Sequence, residues 1–289
     1  MRRPMDIAKQ ERSMATIVTL TTAFESLASM RIAQIKTQVL DAQLFFAEIW
    51  HIYNQLRVDN LFRFGRQQHD DVIDKALFIA ITAEGGFSGD IDQRLIRTML
   101  QDYNPDKHDI IIIGHHGAVQ LAQNGVKYKK YFKLPVKDQN TNIRPLVAEV
   151  RKYRNTYVYY QKYISLMSQE IVKIELSQSV QEQGKAVVDK GEFISEENYI
   201  FEPSTFAVVA HLERSMLDIS LGQTILDSKL AQYASRFRAM TAAKDRSKET
   251  AHDLHTEYNR SKRMQSDERL KEIINGMKKS LKAEAEAKI

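Results

Sequence analysis

Few residues in this chain stand at spacings that chemistry would need, and each candidate has a plainer reading beside it. Gly85-Gly86-Phe87-Ser88-Gly89 follows a short apolar run and invites comparison with a phosphate-binding loop. It lacks both the Gly-Lys-Ser/Thr ending and the GxGxxG spacing, so a tight strand-to-helix turn is expected. Gly114-His115-His116-Gly117 offers two metal-ligating side chains. Neighbours on an extended chain point to opposite sides and no third ligand stands at a suitable interval, so a loop turn is expected there. His252 and His255 would share a helix face, but no glutamate completes a zinc-protease pattern, and they read as surface histidines. Ser215 and Ser220 have no nucleophile motif around them, and Asp70-Asp71 follows a histidine in a polar linker. With no cysteine anywhere, disulfides, thiolate catalysis and cysteine-bound metals are excluded. No catalytic constellation, metal site or cofactor is expected.

The elements that would carry such residues are more informative than the residues. From Met5 to Phe64 there is neither proline nor glycine. Ile17, Leu20, Phe24, Leu27, Ile35, Val39, Ala42, Phe46, Ile49, Tyr53 and Leu56 recur at steps of three and four, with one longer step around Arg31. That is an apolar stripe on a helix, at a period suited to coiling around a partner. About 60 residues at ~1.5 Å each would extend roughly 90 Å, wider than any single compact core. At the other end, Pro203-Ser204 reads as a helix entry. Leu230, Tyr233, Phe237, Met240, Lys244, Ser247, Ala251, Leu254 and Tyr258 then alternate steps of three and four. Two of these positions are polar and one is small, so this seam is weak in its middle. A helix from Ser204 to Leu281 would extend about 115 Å.

Between the rods the texture changes. Ala76–Thr82, Asp109–Ile113 and Thr156–Tyr160 are short apolar or aromatic runs, with helix-like stretches at Ile91–Leu100 and Ile143–Tyr153. Strand and helix in alternation predict a small parallel α/β sheet with helices on its faces. The expected fold is therefore α/β plus a long coiled coil: an N-terminal helix over 1–64, an α/β body over 65–203 and a C-terminal helix over 204–289, the two helices pairing antiparallel.

Charge is divided unevenly. Residues 229–289 hold 15 Lys/Arg and 9 Asp/Glu, whereas the preceding 228 residues hold 27 basic and 28 acidic ones. The whole positive excess sits on the last helix, which suggests an anionic partner surface. A nucleic-acid-binding coiled coil is the alternative. Acids interspersed throughout and the lack of an aromatic stacking platform argue against nucleic acid. No apolar run approaches the roughly 20 residues of a membrane span, and the basic opening is not followed by a signal-type core.

Several segments resemble, in order, the gamma subunit of F-type ATP synthases. Leu20-Thr21-Thr22-Ala23-Phe24-Glu25-Ser26-Leu27-Ala28-Ser29-Met30-Arg31 is similar to that family's Ile-Thr-x-Ala-Met-x-Met-Val-Ala-x-x-Lys. Ile81-Thr82-Ala83-Glu84 and the glycines after it resemble its Ile-Thr-Ser-Asp-Arg-Gly-Leu-Cys-Gly turn. Tyr199-Ile200-Phe201-Glu202-Pro203-Ser204 resembles its Tyr-x-Tyr-Glu-Pro-Ser helix entry, and Arg236-Phe237-Arg238-Ala239-Met240 its Arg-Met-x-Ala-Met. Tyr258-Asn259 through Leu270, Glu272-Ile273 and Gly276 keep its tail spacing. Each motif is weak; their collinearity over nearly the whole chain is the signal.

The resemblance implies a non-catalytic axle inside a ring of three alpha and three beta subunits. Its foot would stand on the membrane rotor ring of subunit c and on epsilon, carrying torque between ion flow and nucleotide exchange. It places the chain peripherally on a membrane, at the cytoplasmic or matrix face. By matching position, Thr21, Arg31, Lys262 and Arg263 would meet the alpha/beta stator, and Tyr199 and Glu202 the rotor ring or epsilon. The chain also departs from the pattern. Lys262-Arg263 replace Arg-Gln, Ser266-Asp267 replace Ile-Thr, Arg269 and Gln232 replace glutamates, and Arg31 replaces a lysine. A charged Lys278–Glu284 end replaces an apolar one. Such drift suggests a divergent or sodium-pumping form of the complex.

Overall fold

The computed structural model describes residues 3–55, 73–134, 143–176, 178–179, 200 and 202–286. The chain divides into two compact units, Met1–Glu25 with Met240–Ile289, and Ser26–Ala239. Helix α1 covers Pro4–Gln55 and the last helix, α5, covers Thr205–Glu286. The extension of the first rod to Phe64, and the Asp70-Asp71 loop, lie outside the described residues.

In the larger unit, β1 (Ala76–Ile81), α2 (Ile91–Asp102), β2 (His108–Ile113), α3 (His115–Gln123), β3 (Lys130–Phe132), α4 (Arg144–Val150), β4 (Thr156–Tyr163) and β5 (Gln169–Glu175) build one sheet with helices on both faces. Strand order is β3-β2-β1-β4-β5. The first four strands are parallel, in register from Ala76 opposite His108 and from Leu77 opposite Thr156. The small, mostly parallel α/β sheet expected from the sequence is present, with one antiparallel edge: β5 pairs antiparallel with β4, Val158 opposite Ile174. In β5, Ile171 packs on one side of the sheet and Val172 and Ile174 on the other, while Glu170 and Lys173 stay exposed at the edge.

Alternate side chains go to opposite faces. Leu77, Ile79, Ile81, Ile111, Ile113, Val158 and Tyr160 form one core with Leu146, Val147 and Val150 of α4 and Leu221 and Ile225 of α5. Phe78, Ala80, Ile110, Ile112 and Tyr159 form the other with Leu95, Ile96 and Met99 of α2 and Leu121 of α3. The near-continuous apolar runs of β1 and β2 follow from this two-sided burial. One layer of the α/β body is thus α5 itself. In the same unit Phe46 and Trp50 of α1 pack on Met216 of α5, and the Tyr53 hydroxyl donates to Glu213 at 3.4 Å. This pairs rising numbers on α1 with falling numbers on α5, an antiparallel arrangement.

The smaller unit consists of helix on helix. Lys244 Nζ donates to Glu25 Oε2 at 2.5 Å, and His255 Nδ1 lies 2.9 Å from Glu11 Oε1, so these segments are antiparallel as well. The apolar stripe read from the sequence does not face inward here. Ile17, Leu20 and Phe24 are exposed, while Ile7 and Thr21 are buried. Periodicity locates a stripe on a helix but does not say which stripe meets the partner. Glu25, on the same face as Thr21 at a four-residue step, finds Lys244 and sets the phase.

Gly114-His115-His116-Gly117 is not a loop turn: both histidines open α3. The glycines are there because the end of β1 crosses them. Gly114 has φ +96, and a Cβ on it would lie 2.0 Å from the Thr82 carbonyl oxygen; one on Gly117 would lie 2.6 Å from Thr82 Oγ1. The Thr82 hydroxyl donates to Ile113 O and accepts from the Gly117 N–H, each at 2.9 Å.

Candidate functional site

The residues expected to meet a stator sit on both units. Thr21 is buried, its hydroxyl donating to the Ile17 carbonyl at 2.8 Å and approaching that of Val18 at 3.0 Å. Arg31 is half-buried and donates to Gln34 Oε1 at 3.2 Å. Lys262 and Arg263 are exposed on α5, and Lys262 Nζ lies 6.0 Å from the centre of the Tyr258 ring, at the outer limit of a cation–π contact. For the foot, Tyr199 lies outside the described residues. Glu202 is exposed just ahead of α5, where Ser204 Oγ accepts the Ala207 N–H at 3.2 Å and caps the helix. Thr21, Lys262 and Arg263 belong to the smaller unit and Arg31 to the larger, and among the described residues no three His, Asp or Glu side chains converge as a metal site.

Sequence reasoning missed the polar joint between the α/β body and α5. At the C-terminal ends of β1 and β4, Asp92 of α2 is buried and accepts three bonds. They come from the Ala83 N–H at 3.2 Å, Gln161 Nε2 at 2.9 Å and His116 Nδ1 at 3.1 Å. The Asp92 carboxylate holds the His116 imidazole above its ordinary pKa, against partial burial and the nearby Arg236 charge. Gln161, wholly buried, passes the chain on: Ser228 Oγ donates to Gln161 Oε1 at 2.5 Å, and Gln232 Nε2 donates to Ser228 Oγ at 3.1 Å. Gln232 is one of the departures from the family's glutamate. In this setting an amide can donate where a carboxylate could only accept.

The glycine-rich turn is held from α5 as well. Ser235 Oγ donates to the Ser88 carbonyl at 2.7 Å, while Arg236 Nε and Nη2 donate to the carbonyls of Gly86 and Gly85 at 3.1 and 3.3 Å. Phe87, at φ +70, shapes this turn, and Gly89 at +68 completes it. The signal in the sequence was the Arg236 motif itself, which periodicity treats as an ordinary basic pair. Arg238 Nη1 donates to Met167 O at 3.0 Å, in the turn between β4 and β5.

Burial perturbs several acids on α5. Desolvation raises Asp227 to about 6, against a backbone hydrogen bond at Tyr163 and the Lys162 charge. It also raises Glu213, against the Tyr53 bond, and Asp218, against the charges of Arg144, Arg214, Arg151 and His211. Glu25 is shifted the other way. Its hydrogen bonds from Lys244 and from the Thr241 hydroxyl, at 2.6 Å, hold it below the usual carboxylate range. The polar seam position Lys244 is therefore an ion pair rather than a gap.

The sequence model of the ATP synthase family matches residues 4–279. A gamma chain of ATP synthase from Desulfitobacterium hafniense is 20% identical over 280 residues, covering 94% of this chain and 96% of that one. One from Macrococcus caseolyticus is 26% identical over 223 residues, covering 71% and 73%. Among solved structures, the chain is similar to one in the Euglena gracilis mitochondrial ATP synthase OSCP/F1/c-ring assembly, with TM-score 0.62 at 15% identity over 94% of this chain and 93% of that one. It is also similar to one in the Tetrahymena thermophila central stalk and c-ring, with TM-score 0.55 at 16% identity over 78% and 99%. At these identities the structural likeness speaks for the fold.

Proposed function

This chain belongs to the ATP synthase gamma family, as a non-catalytic rotor subunit, and from that premise we propose how it meets its neighbours. It turns inside an alpha/beta hexamer, with its foot on a ring of subunit c and on epsilon, and it sits peripherally at the cytoplasmic or matrix face of the membrane. Among the described residues no helix is long and apolar enough to cross a membrane. Arg31, Lys262 and Arg263 are the stator-facing cations. Thr21, whose hydroxyl is engaged by its own helix, would contribute through backbone and shape. Tyr199 and Glu202 belong to the foot.

The observation that carries this reading is the make-up of the smaller unit. Two antiparallel helix segments have no third layer among the described residues, and from Glu268 to Lys279 every residue of α5 is exposed. A bare helical pair with a surplus of cations is built to be enclosed by an acidic sleeve. Exposed ion pairs of this kind are worth only about 0–1 kcal/mol each, so they guide and latch rather than hold. Co-expression with alpha and beta partners is expected to yield one copy of this chain per hexameric ring. A chain that co-purifies stoichiometrically with neither subunit would reject the reading.

A further inference from the structure

The contacts between α5 and the α/β body are of two kinds. Leu221 and Ile225 bury apolar surface against the sheet, a force without direction that tolerates a helix turning or sliding in its seat. From Asp227, which takes a backbone hydrogen bond at Tyr163, the contacts become directional. Ser228, Gln232 and Ser235 follow at steps of four and three, so they lie along one face of the helix; Ser228 and Ser235 bond Gln161 and the Ser88 carbonyl of the body, and Gln232 reaches Gln161 Oε1 at 3.4 Å. Arg236 extends the same grip to the carbonyls of Gly85 and Gly86. Arg238 stands two residues further on, about 200° around the helix from Arg236, and takes the Met167 carbonyl in the β4–β5 turn. Two bonds from opposite sides of a rod to one body form a couple, and a couple resists rotation of the rod about its own axis. Both turns offer main-chain carbonyls, which cannot swing away as side chains can. The anchor behind them, Asp92 with Gln161, is buried and fully occupied.

We propose that Arg236 and Arg238, clasping the turns at 85–86 and 167 on either side of α5, form an anti-rotation key that fixes the angular setting of the helix in the α/β body. On the rotor reading above, on which this rests, they are positioning residues for torque transfer: the body must follow the helix for ion movement to follow ATP hydrolysis. The key is a property of the joint and touches neither nucleotide nor ion.

The test uses the complete complex in sealed vesicles, with ATP hydrolysis and ATP-driven ion uptake measured on the same preparation. Arg236→Ala with Arg238→Ala is expected to leave hydrolysis within about twofold and to lower ion uptake per ATP at least about threefold, since each clasp is a modest bond in isolation. Lysine at both positions, keeping one charged donor each, should restore at least half of the lost coupling. Arg238→Ala alone removes a single bond to an exposed turn and nothing from the core, so it serves where the double variant folds poorly; about a twofold drop is expected. An unchanged ratio of uptake to hydrolysis in a folded Arg238→Ala complex overturns the key, as does a double-variant loss that lysine does not rescue. Failure of the unmodified chain to enter any complex would instead strike at the rotor reading.

Discussion

The ion pair in the middle of the smaller unit gives the sharpest quantitative test. Glu25 and Lys244 have side chains only 15% and 19% exposed, and the Thr241 hydroxyl also donates to Glu25. Two unit charges about 4 Å apart attract by about 4 kcal/mol at an effective dielectric near 20. Removing both groups from water offsets much of that, which leaves a pair coupling of about 1–2 kcal/mol, above the usual surface value. Lys244→Met alone should cost more than the coupling, about 2–3 kcal/mol, because it strands a partly buried carboxylate. Glu25→Gln keeps an acceptor for Thr241 and should cost about 1–2 kcal/mol. The measurement is a double-mutant cycle on hydrogen-exchange protection of the amides around Thr241–Lys248, which reads local opening of this unit. Because Glu25 is held below its ordinary pKa, its contribution is present above the unfolded value of about 4.5 and is lost as pH falls through the lowered folded value. A coupling below about 0.5 kcal/mol, or one that persists unchanged well below that range, refutes the assignment of this pair as the seam's fastening.

The other predictions concern the larger unit. Asp227 is raised to about 6, so its charged form is penalised in the fold; its contribution to stability should be flat above that value and should increase as pH falls from about 6 toward 3.8. Asp227→Asn should stabilise by about 1 kcal/mol at pH 8 after discounting for partial exposure, by about half of that at pH 5, and by almost nothing once the pH is below the ordinary carboxyl value of 3.8, in paired thermal melts. His116, raised by Asp92, adds stability below its unfolded pKa that is lost as pH rises through the folded value; an NMR titration should place it above 6.5, and Asp92→Asn should bring it down. Gly114→Ala drives a Cβ to 2.0 Å from the Thr82 oxygen and should cost about 3 kcal/mol or more, whereas Gly125→Ala, with φ +69 but open space, should cost only about 1 kcal/mol in the same denaturant series. Equal penalties would mean that backbone conformation alone, and not the crossing of β1, explains Gly114.

Most of the skeleton could be read without coordinates, for physical reasons. Breaker-free stretches give long helices, and β1 and β2 announce themselves because burial on both faces leaves continuous apolar runs. β3 and β5 carry no continuous apolar run to announce them: KYF is three residues long, and QEIVKIE sets four polar residues among three apolar ones. The phase of the α1 seam differs from the apolar stripe between Ile17 and Ala28 because Thr21 and Ala28 are buried there and Glu25 is half-buried, while Leu20, Phe24 and Leu27 are exposed. Small and polar residues at a helix contact carry no hydropathy signal. The polar joint escaped for the related reason that Asp92, Gln161, Ser228 and Gln232 come from three distant stretches, and nothing local marks a glutamine as fully buried. The cations proposed to face a stator were readable only through family resemblance, since charge and period alone cannot separate a latch from a solvated face.

The position of α5 in the larger unit bears on why a shaft should be built this way. In most α/β bodies a helix covering the sheet ends where the sheet ends, and its flanks serve only the core. Here the helix that closes one face, through Leu221 and Ile225, runs on without a break through the polar joint and into the smaller unit. In the larger unit, rotation of the helix in its seat is a freedom that apolar packing alone cannot prevent. The directional bonds from Ser228 to Arg238 lie just where the covering helix leaves the sheet. Placed there, they add stiffness without disturbing the two hydrophobic cores that fold the body, so the stability of the α/β layers and the torsional hold on α5 can be altered separately by mutation.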